Sequence, residues 1–295
     1  MIKAVVTGGK GFIGKKIVDY LISKGHYVIV IDIDRESKEN PEALYYYNDI
    51  TKPMYNAKDI FENASVVFHL AAEIYVQKSL QFPDLFKNVN ENGTKNILDY
   101  VVEYNIKSFI FSSTSAIYGN EITGQSKEYD KPNCLNAYSL SKYNAELLCK
   151  EYSEKYGINV SCLRYFNVYG DGQHETGQYA PALGTFLKQY RDNLPLTVVG
   201  DGLQKRDFVN VIDVAKANYK AFMNNTSFNI YNIGSGKNIS IIDLAKSISK
   251  DISFIESRAG ECRETLADIN KAKILLSWHP EIDLDAYISN LIVFQ

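Results

Sequence analysis

Three glycines, Gly8, Gly11 and Gly14, recur at every third position between an apolar run, Ala4-Val5-Val6, and an amphipathic stretch from Phe12 to Lys24. Glycine at such a junction permits a tight turn and close backbone approach to a pyrophosphate. The helix that follows presents its unpaired N–H groups to the anion. The spacing is a variant of the commoner Gly-x-Gly-x-x-Gly loop. It commits the start of the chain to a strand–turn–helix unit, and so the fold to alternating strands and helices. Asp32 closes the next apolar run, Tyr27 to Ile31. A carboxylate there suits ribose hydroxyls and repels a 2′-phosphate, which favours NAD over NADP; Arg35, close behind, tempers the preference. Taken separately, a ligand-free glycine turn and a strand-end turn residue are the plainer explanations of the loop and of Asp32.

The first half keeps this rhythm. Leu44 to Tyr47, Val66 to Leu70, Ser108 to Phe111 and Val160 to Arg164 read as further strands, and Asn133 to Tyr156 as a long helix. Nearly continuous apolar strands fit a parallel sheet covered on both faces. After Phe166 the pattern shortens to a polar loop from Gly170 to Gly177, a turn at Gly200-Asp201-Gly202, a strand at Phe208 to Val211 and a helix from Asp213 to Met223. The expected architecture is α/β, a Rossmann-type doubly wound parallel sheet with a smaller α/β C-terminal substrate lobe. Residues 1–167 plus about 205–224 are assigned to the nucleotide domain, and about 168–204 plus 225–295 to the lobe, with the substrate in the cleft between them.

A net charge of −3 offers no general attraction to nucleic acid or an anionic membrane, so any phosphate must be met locally. No window approaches a membrane span, and the chain runs straight into a strand without the apolar core of a signal peptide. The four cysteines are scattered without metal-type pairs, so reduced thiols, a cytoplasmic protein and no metal site are expected.

Tyr138 and Lys142 lie four residues apart inside the long helical segment, and hence on one face. A phenol titrates near ~10, and a fixed ammonium beside it favours the anion, which makes a base at neutral pH. A Tyr/Lys pair alone is commonplace. With a dinucleotide loop in the same domain it points to a redox site.

Further segments make the resemblance specific. They are His69-Leu70-Ala71-Ala72, Asn90-x-x-Gly93-Thr94, Ser112-Ser113-Thr114-Ser115-Ala116-Ile117-Tyr118-Gly119, Arg164-Tyr165-Phe166-Asn167, Arg206-Asp207-Phe208 and Arg258-x-Gly260. With the glycine loop and the Tyr/Lys pair, the chain resembles, over nearly its whole length, an extended short-chain dehydrogenase/reductase of the UDP-hexose 4-epimerase type. The resemblance implies a tightly bound NAD held by Gly8, Gly11, Phe12, Ile13, Gly14 and Asp32. Asp49 and Ile50 would flank the adenine, and Leu70, Ala71, Ala72, Asn90, Ser112 and Tyr165 would line the cofactor cleft; the alternative for Asn90 is a structural bond behind the sheet. Tyr138 would be the base and Lys142 would bind the nicotinamide ribose and lower the Tyr138 pKa. Thr114 would bond the sugar 4-oxygen, with Ser113 and Ser115 as competing hydroxyls. Asn167, Arg206 and Arg258 would hold a UDP-hexose through its diphosphate and uridine, since Arg forks match phosphate geometry. Glu261, standing where the family usually has Asp, would reach the uridine ribose. Uracil contacts in 179–186 stay unassigned.

The implied reaction is reversible inversion at C4 through a 4-keto sugar, with UDP anchored and the sugar free to present either face. A dehydratase would need an Asp-Glu pair directly after the threonine, and a decarboxylase a Glu at position 116; Ser115-Ala116 stands there. A UDP-uronate 4-epimerase, a nucleotide-sugar lyase and a non-catalytic NAD-sensing protein are the alternatives. In the family a bulky residue at the position of Thr265 restricts the sugar to glucose/galactose. The small Thr265 therefore predicts acceptance of UDP-GlcNAc/UDP-GalNAc, with UDP-Glc/UDP-Gal alongside. Relatives pair as dimers through a four-helix bundle, so a homodimer is expected, built from the helices after Asn90 and Asn133.

Overall fold

The computed structural model describes residues 1–36, 40–120, 124–176, 180–257 and 262–293. Its strands are β1 Lys3–Thr7, β2 Tyr27–Asp32, β3 Leu44–Tyr47, β4 Val66–His69, β5 Ser108–Thr114, β6 Asn159–Tyr165, β7 Asn167–Tyr169, β8 Leu196–Val199, β9 Lys205–Asn210, β10 Asn229–Ile233, β11 Asn238–Ser240 and β12 Ile252–Ile255. Seven of them form one sheet in the order β10-β6-β5-β4-β1-β2-β3, every pair parallel. From β1 the chain winds outward to β2 and β3, then returns to β4 on the other side. The strand order reverses between β1 and β4, and ligands of such sheets bind at the carboxyl ends flanking that reversal.

Alternation along β1 supplies both cores. Ala4 and Val6 face one side, packing with Ile17, Leu21 and Val214 from the helices Phe12–Ser23 and Val211–Met223. Val5 faces the other, with Ile97, Val101, Ala145 and Cys149 from the helices Gly93–Glu103 and Ala137–Tyr156. A third apolar cluster, around Phe186, Leu196, Phe208 and Leu244, belongs to the small β11-β9-β7 and β12-β8 sheets.

Two strands sit on the opposite side of the expected division. Asn229–Ile233, within the segment assigned to the lobe, is the edge strand of the central sheet. Lys205–Asn210, assigned to the nucleotide domain from 205 on, pairs instead with β7 and β11. Chain order misleads here because each strand pairs across a long connection. The long helix begins at Ala137 rather than Asn133. The Asn136 side chain accepts the Ser139 N–H at 2.9 Å, which fixes Asn136 as the cap, and Gly157 ends the helix at φ 67°. No helix among the described residues is long and apolar enough to cross a membrane.

Candidate active site

The glycine loop is shaped by contacts that leave no room for side chains. Gly8 sits at φ +70°, and a Cβ there would lie 2.7 Å from the Ala71 nitrogen; a Cβ on Gly14 would lie 2.1 Å from the Gly8 carbonyl oxygen. The loop after β1 is thus pressed against the loop after β4 at the point of strand reversal. This cradle, closing on a helix N-terminus, fits a dinucleotide pyrophosphate. Asp32 holds its own turn: Oδ2 accepts the Lys10 N–H at 2.8 Å, and Oδ1 those of Ile33 and Asp34 at 2.8 and 3.0 Å. Next to buried Ile50, burial pushes the Asp49 carboxyl up. Hydrogen bonds from Thr51 and Lys52 outweigh that and hold it below its ordinary range.

Behind the loop, buried His69 bridges Thr7 and Thr94, with Nδ1 2.7 Å from Thr7 Oγ1 and Nε2 3.0 Å from Thr94 Oγ1. Thr94 gives its own proton to the Asn90 carbonyl, and Thr7 Oγ1 accepts the N–H groups of Leu70 and Ala71. The network therefore assigns a neutral imidazole donating from Nε2. Burial, aided by the Lys142 ammonium, pulls His69 down to about 3. Asn90 spends its amide on Glu73 N–H (2.8 Å), Glu73 C=O (2.9 Å) and Ser141 Oγ (2.9 Å). It braces the loop containing Ala71 and Ala72 against the Ala137–Tyr156 helix.

That helix presents Tyr138 near its start and Lys142 one turn on. Burial raises the Tyr138 phenol above its ordinary value, while a hydrogen bond with the Thr114 side chain pulls the other way. The expected lowering by Lys142 is not what the protein alone sets up. The Lys142 ammonium lies over the Phe111 ring, 4.2 Å from its centroid, and burial brings it down to about 8 against the influence of Cys149, Glu146 and Cys162. Thr114 closes β5, directly opposite Tyr165 on β6, and its Oγ1 accepts the Ala116 N–H at 3.1 Å. Ser113 is engaged elsewhere, donating to Glu146 Oε1 at 2.5 Å, so of the three competing hydroxyls Thr114 and Ser115 reach the cavity. The Tyr165 hydroxyl donates to Asn218 Oδ1 at 2.9 Å, which leaves Ser112 as donor to it at 2.9 Å.

A cavity of about 420 Å³ opens from Thr114, Ser115 and Asn136, past Tyr165 and Asn167, to Arg206, Cys262 and Thr265. Thr265 Oγ1 accepts the Asp207 N–H at 3.1 Å and donates to Asn167 Oδ1 at 3.4 Å. Asp207 is the fastening of this wall: its buried carboxylate accepts from Ser235, Gly236 and Ala267 at 2.6–3.0 Å. Arg206 also borders an adjoining hollow of about 360 Å³ with Ser257 and Arg263. Arg258 and Glu261 lie outside the described residues, as does Tyr179; Ala180 to Leu183 and Phe186 line the main cavity. Sequence reasoning passed over Asn136, Gln173 and the Arg263–Asp201 fork, which meets at 2.8 Å on both arms. The only signal for Gln173 was its place in the polar loop after Gly170. Its buried Oε1 has no hydrogen-bond partner among the described residues.

The profile of the NAD dependent epimerase/dehydratase family matches residues 4–234. A putative UDP-glucose 4-epimerase of Methanocaldococcus jannaschii is 38% identical over 98% of this chain and 96% of its own length. A UDP-glucuronate 4-epimerase of Thermodesulfobacterium geofontis is 32% identical over 95% and 92%. The solved UDP-N-acetylglucosamine 4-epimerase of Methanobrevibacter ruminantium, in complex with UDP-N-acetylmuramic acid, superposes with a TM-score of 0.92 at 30% identity, covering 99% and 97%. Glycine cradle, Tyr/Lys pair, parallel sheet and whole-length similarity agree: the chain belongs to the NAD dependent epimerase/dehydratase family.

Proposed function

We propose that this protein is an NAD-dependent UDP-hexose 4-epimerase that accepts UDP-GlcNAc/UDP-GalNAc and, alongside them, UDP-Glc/UDP-Gal. Its relatives carry three different sugars in their names, so the sugar must be argued from this chain's own cavity. The observation that carries the reading is Thr265, a small side chain on the cavity wall held by Asp207 and Asn167. No ring projects from that position, which leaves space for a 2-acetamido group. A second observation bears on uronic acids. Among the described residues lining the cavity Arg206 is the one charged side chain, and Thr114 shares the lining with Ser115, Ala116, Asn136 and Gln77. Away from Arg206 a sugar carboxylate would face no cation among the described lining residues, and burying an unpaired charge is costly, so a neutral hexose is favoured. A lyase lacks its carboxylates, since Ser115 and Ala116 occupy the positions they would need.

In this reading Arg206 and Asn167 anchor the diphosphate end, and the sugar lies toward Thr114. Thr114 orients the 4-hydroxyl and Tyr138 takes its proton, returning it after the sugar has presented its other face. NAD, held by the glycine cradle and Asp32, supplies the hydride acceptor and donor and, when oxidised, the positive charge that favours the Tyr138 anion. Burial alone sets the phenol above its ordinary value, against the hydrogen bond with Thr114. Exposed Leu140 and Leu147, seven residues apart on the Tyr138 helix, support the expected homodimer through this helix and Gly93–Glu103. Four free thiols support a cytoplasmic setting.

The Tyr138→Phe variant tests the assignment of the base. Turnover should fall by roughly a hundredfold or more, as general-base loss does, with NAD and UDP affinity kept. Wild-type turnover in that variant would refute Tyr138 as the base.

A further inference from the structure

Beneath the Tyr/Lys pair lies a buried ionic knot that the mechanism does not use. Glu146 and Arg164 are each 2% exposed, and their side chains meet as a fork: Nε to Oε1 at 2.9 Å and Nη2 to Oε2 at 2.7 Å. Ser113 adds a third bond to the same carboxylate at 2.5 Å. On its other side the guanidinium stacks over Tyr118, 4.9 Å from the ring centroid, and reaches the Glu128 carbonyl at 3.3 Å.

The knot joins the three elements that carry the chemistry. Ser113 precedes Thr114 on β5, Arg164 precedes Tyr165 on β6, and Glu146 lies one turn beyond Lys142 on the Tyr138 helix. A buried ion pair is weak evidence for stability, because well-packed apolar residues serve as well or better. What apolar residues cannot do is fix one register through directional bonds, or leave an anion beside Lys142. Resting on the epimerase reading above, we propose that Glu146 is a positioning residue. Its carboxylate, shared by Arg164 and Ser113, locks the helix bearing Tyr138 and Lys142 onto the strand bearing Thr114, and it places a fixed negative charge one helical turn from the Lys142 ammonium.

The groups facing that ammonium are few. Among the described residues, Glu146 and Cys149 come from its own helix, the Phe111 ring from β5, Cys162 from β6, and His69 from β4. Glu146 is the one carboxylate among them. With Glu146 gone, Lys142 keeps only neutral thiols, a neutral imidazole and an aromatic face, and its ammonium is less supported.

The test uses NAD-loaded protein and two variants, Glu146→Gln and the apolar double variant Glu146→Met with Arg164→Met. Folding is followed by thermal melting, and kcat and KM by UDP-sugar epimerisation. The Lys142 titration is followed by NMR of 13C-lysine-labelled protein, its resonance assigned with Lys142→Arg. The double variant should melt near the wild-type temperature and keep KM. Its kcat should fall at least about tenfold, and its Lys142 midpoint should move down. Glu146→Gln, which strands Arg164, should move it further. A double variant with wild-type kcat, or with an unmoved Lys142 midpoint, overturns the proposal. Should the wild type epimerise no UDP-sugar, the functional reading fails on its own, while the Lys142 titration still decides the role of Glu146.

Discussion

Replacing Thr265 by Tyr separates sugar selectivity from stability. Thr265 Oγ1 makes two bonds, accepting from Asp207 N–H and donating to Asn167 Oδ1. Tyr loses both and swings a ring into a cavity of about 420 Å³. Stranding the buried Asp207 N–H costs about 1–3 kcal/mol of stability. Forcing a 2-acetamido group past the ring is an overpacking cost, again about 1–3 kcal/mol, and at about 1.4 kcal/mol per tenfold this becomes roughly 5- to 150-fold. The quantity to measure is the ratio of kcat/KM for UDP-GlcNAc to that for UDP-Glc, which should drop by that factor, with UDP-Glc turnover largely kept. Thr265→Val is the control: it strands the same N–H without filling the cavity, so the protein should be less stable with its ratio unchanged. Equal loss on both sugars in Thr265→Tyr would refute the gate.

Two further expectations concern the cofactor end. Gly14→Ala places a Cβ 2.1 Å from the Gly8 carbonyl oxygen, so the loop must deform and the purified protein should lose its NAD. Gly25→Ala, strained at φ +75° but in open space, should cost about 1 kcal/mol of stability and leave NAD content, read after denaturation, unaffected. The pH dependence of stability follows from His69. Its folded pKa, about 3, lies below the ordinary value of 6.5. Between those limits the unfolded chain binds the extra proton, so this stabilisation is complete above 6.5 and falls by about 1.4 kcal/mol per unit as pH drops. Urea midpoints from pH 7.5 to 5 should decline more steeply for the wild type than for His69→Gln; parallel slopes would contradict the buried neutral imidazole.

What the sequence disclosed was local. Glycines at 8, 11 and 14 announce their turn because a Cβ would collide with neighbouring backbone there, and the four-residue Tyr/Lys spacing fixes a shared helix face. The continuous apolar runs of β1 and β2 were equally plain. Long-range pairing was not, and Asn229–Ile233 and Lys205–Asn210 show why. Each is a short strand whose partner lies far off in the chain, and hydrophobic period says nothing about which sheet receives it. The same limit hid the Glu146–Arg164 fork, since neither residue is unusual until helix and strand are stacked. The setting of the Tyr138 phenol was hidden for a different reason. Spacing puts Lys142 on its face, but it shows neither the burial that raises the phenol nor the ammonium lying over Phe111.

The most direct test is to incubate the purified protein, without added NAD, with UDP-GlcNAc and separately with UDP-Glc, following the sugar anomeric protons by NMR. The account predicts UDP-GalNAc from the first and UDP-Gal from the second. Failure to convert either sugar, even after NAD is supplied, would contradict it.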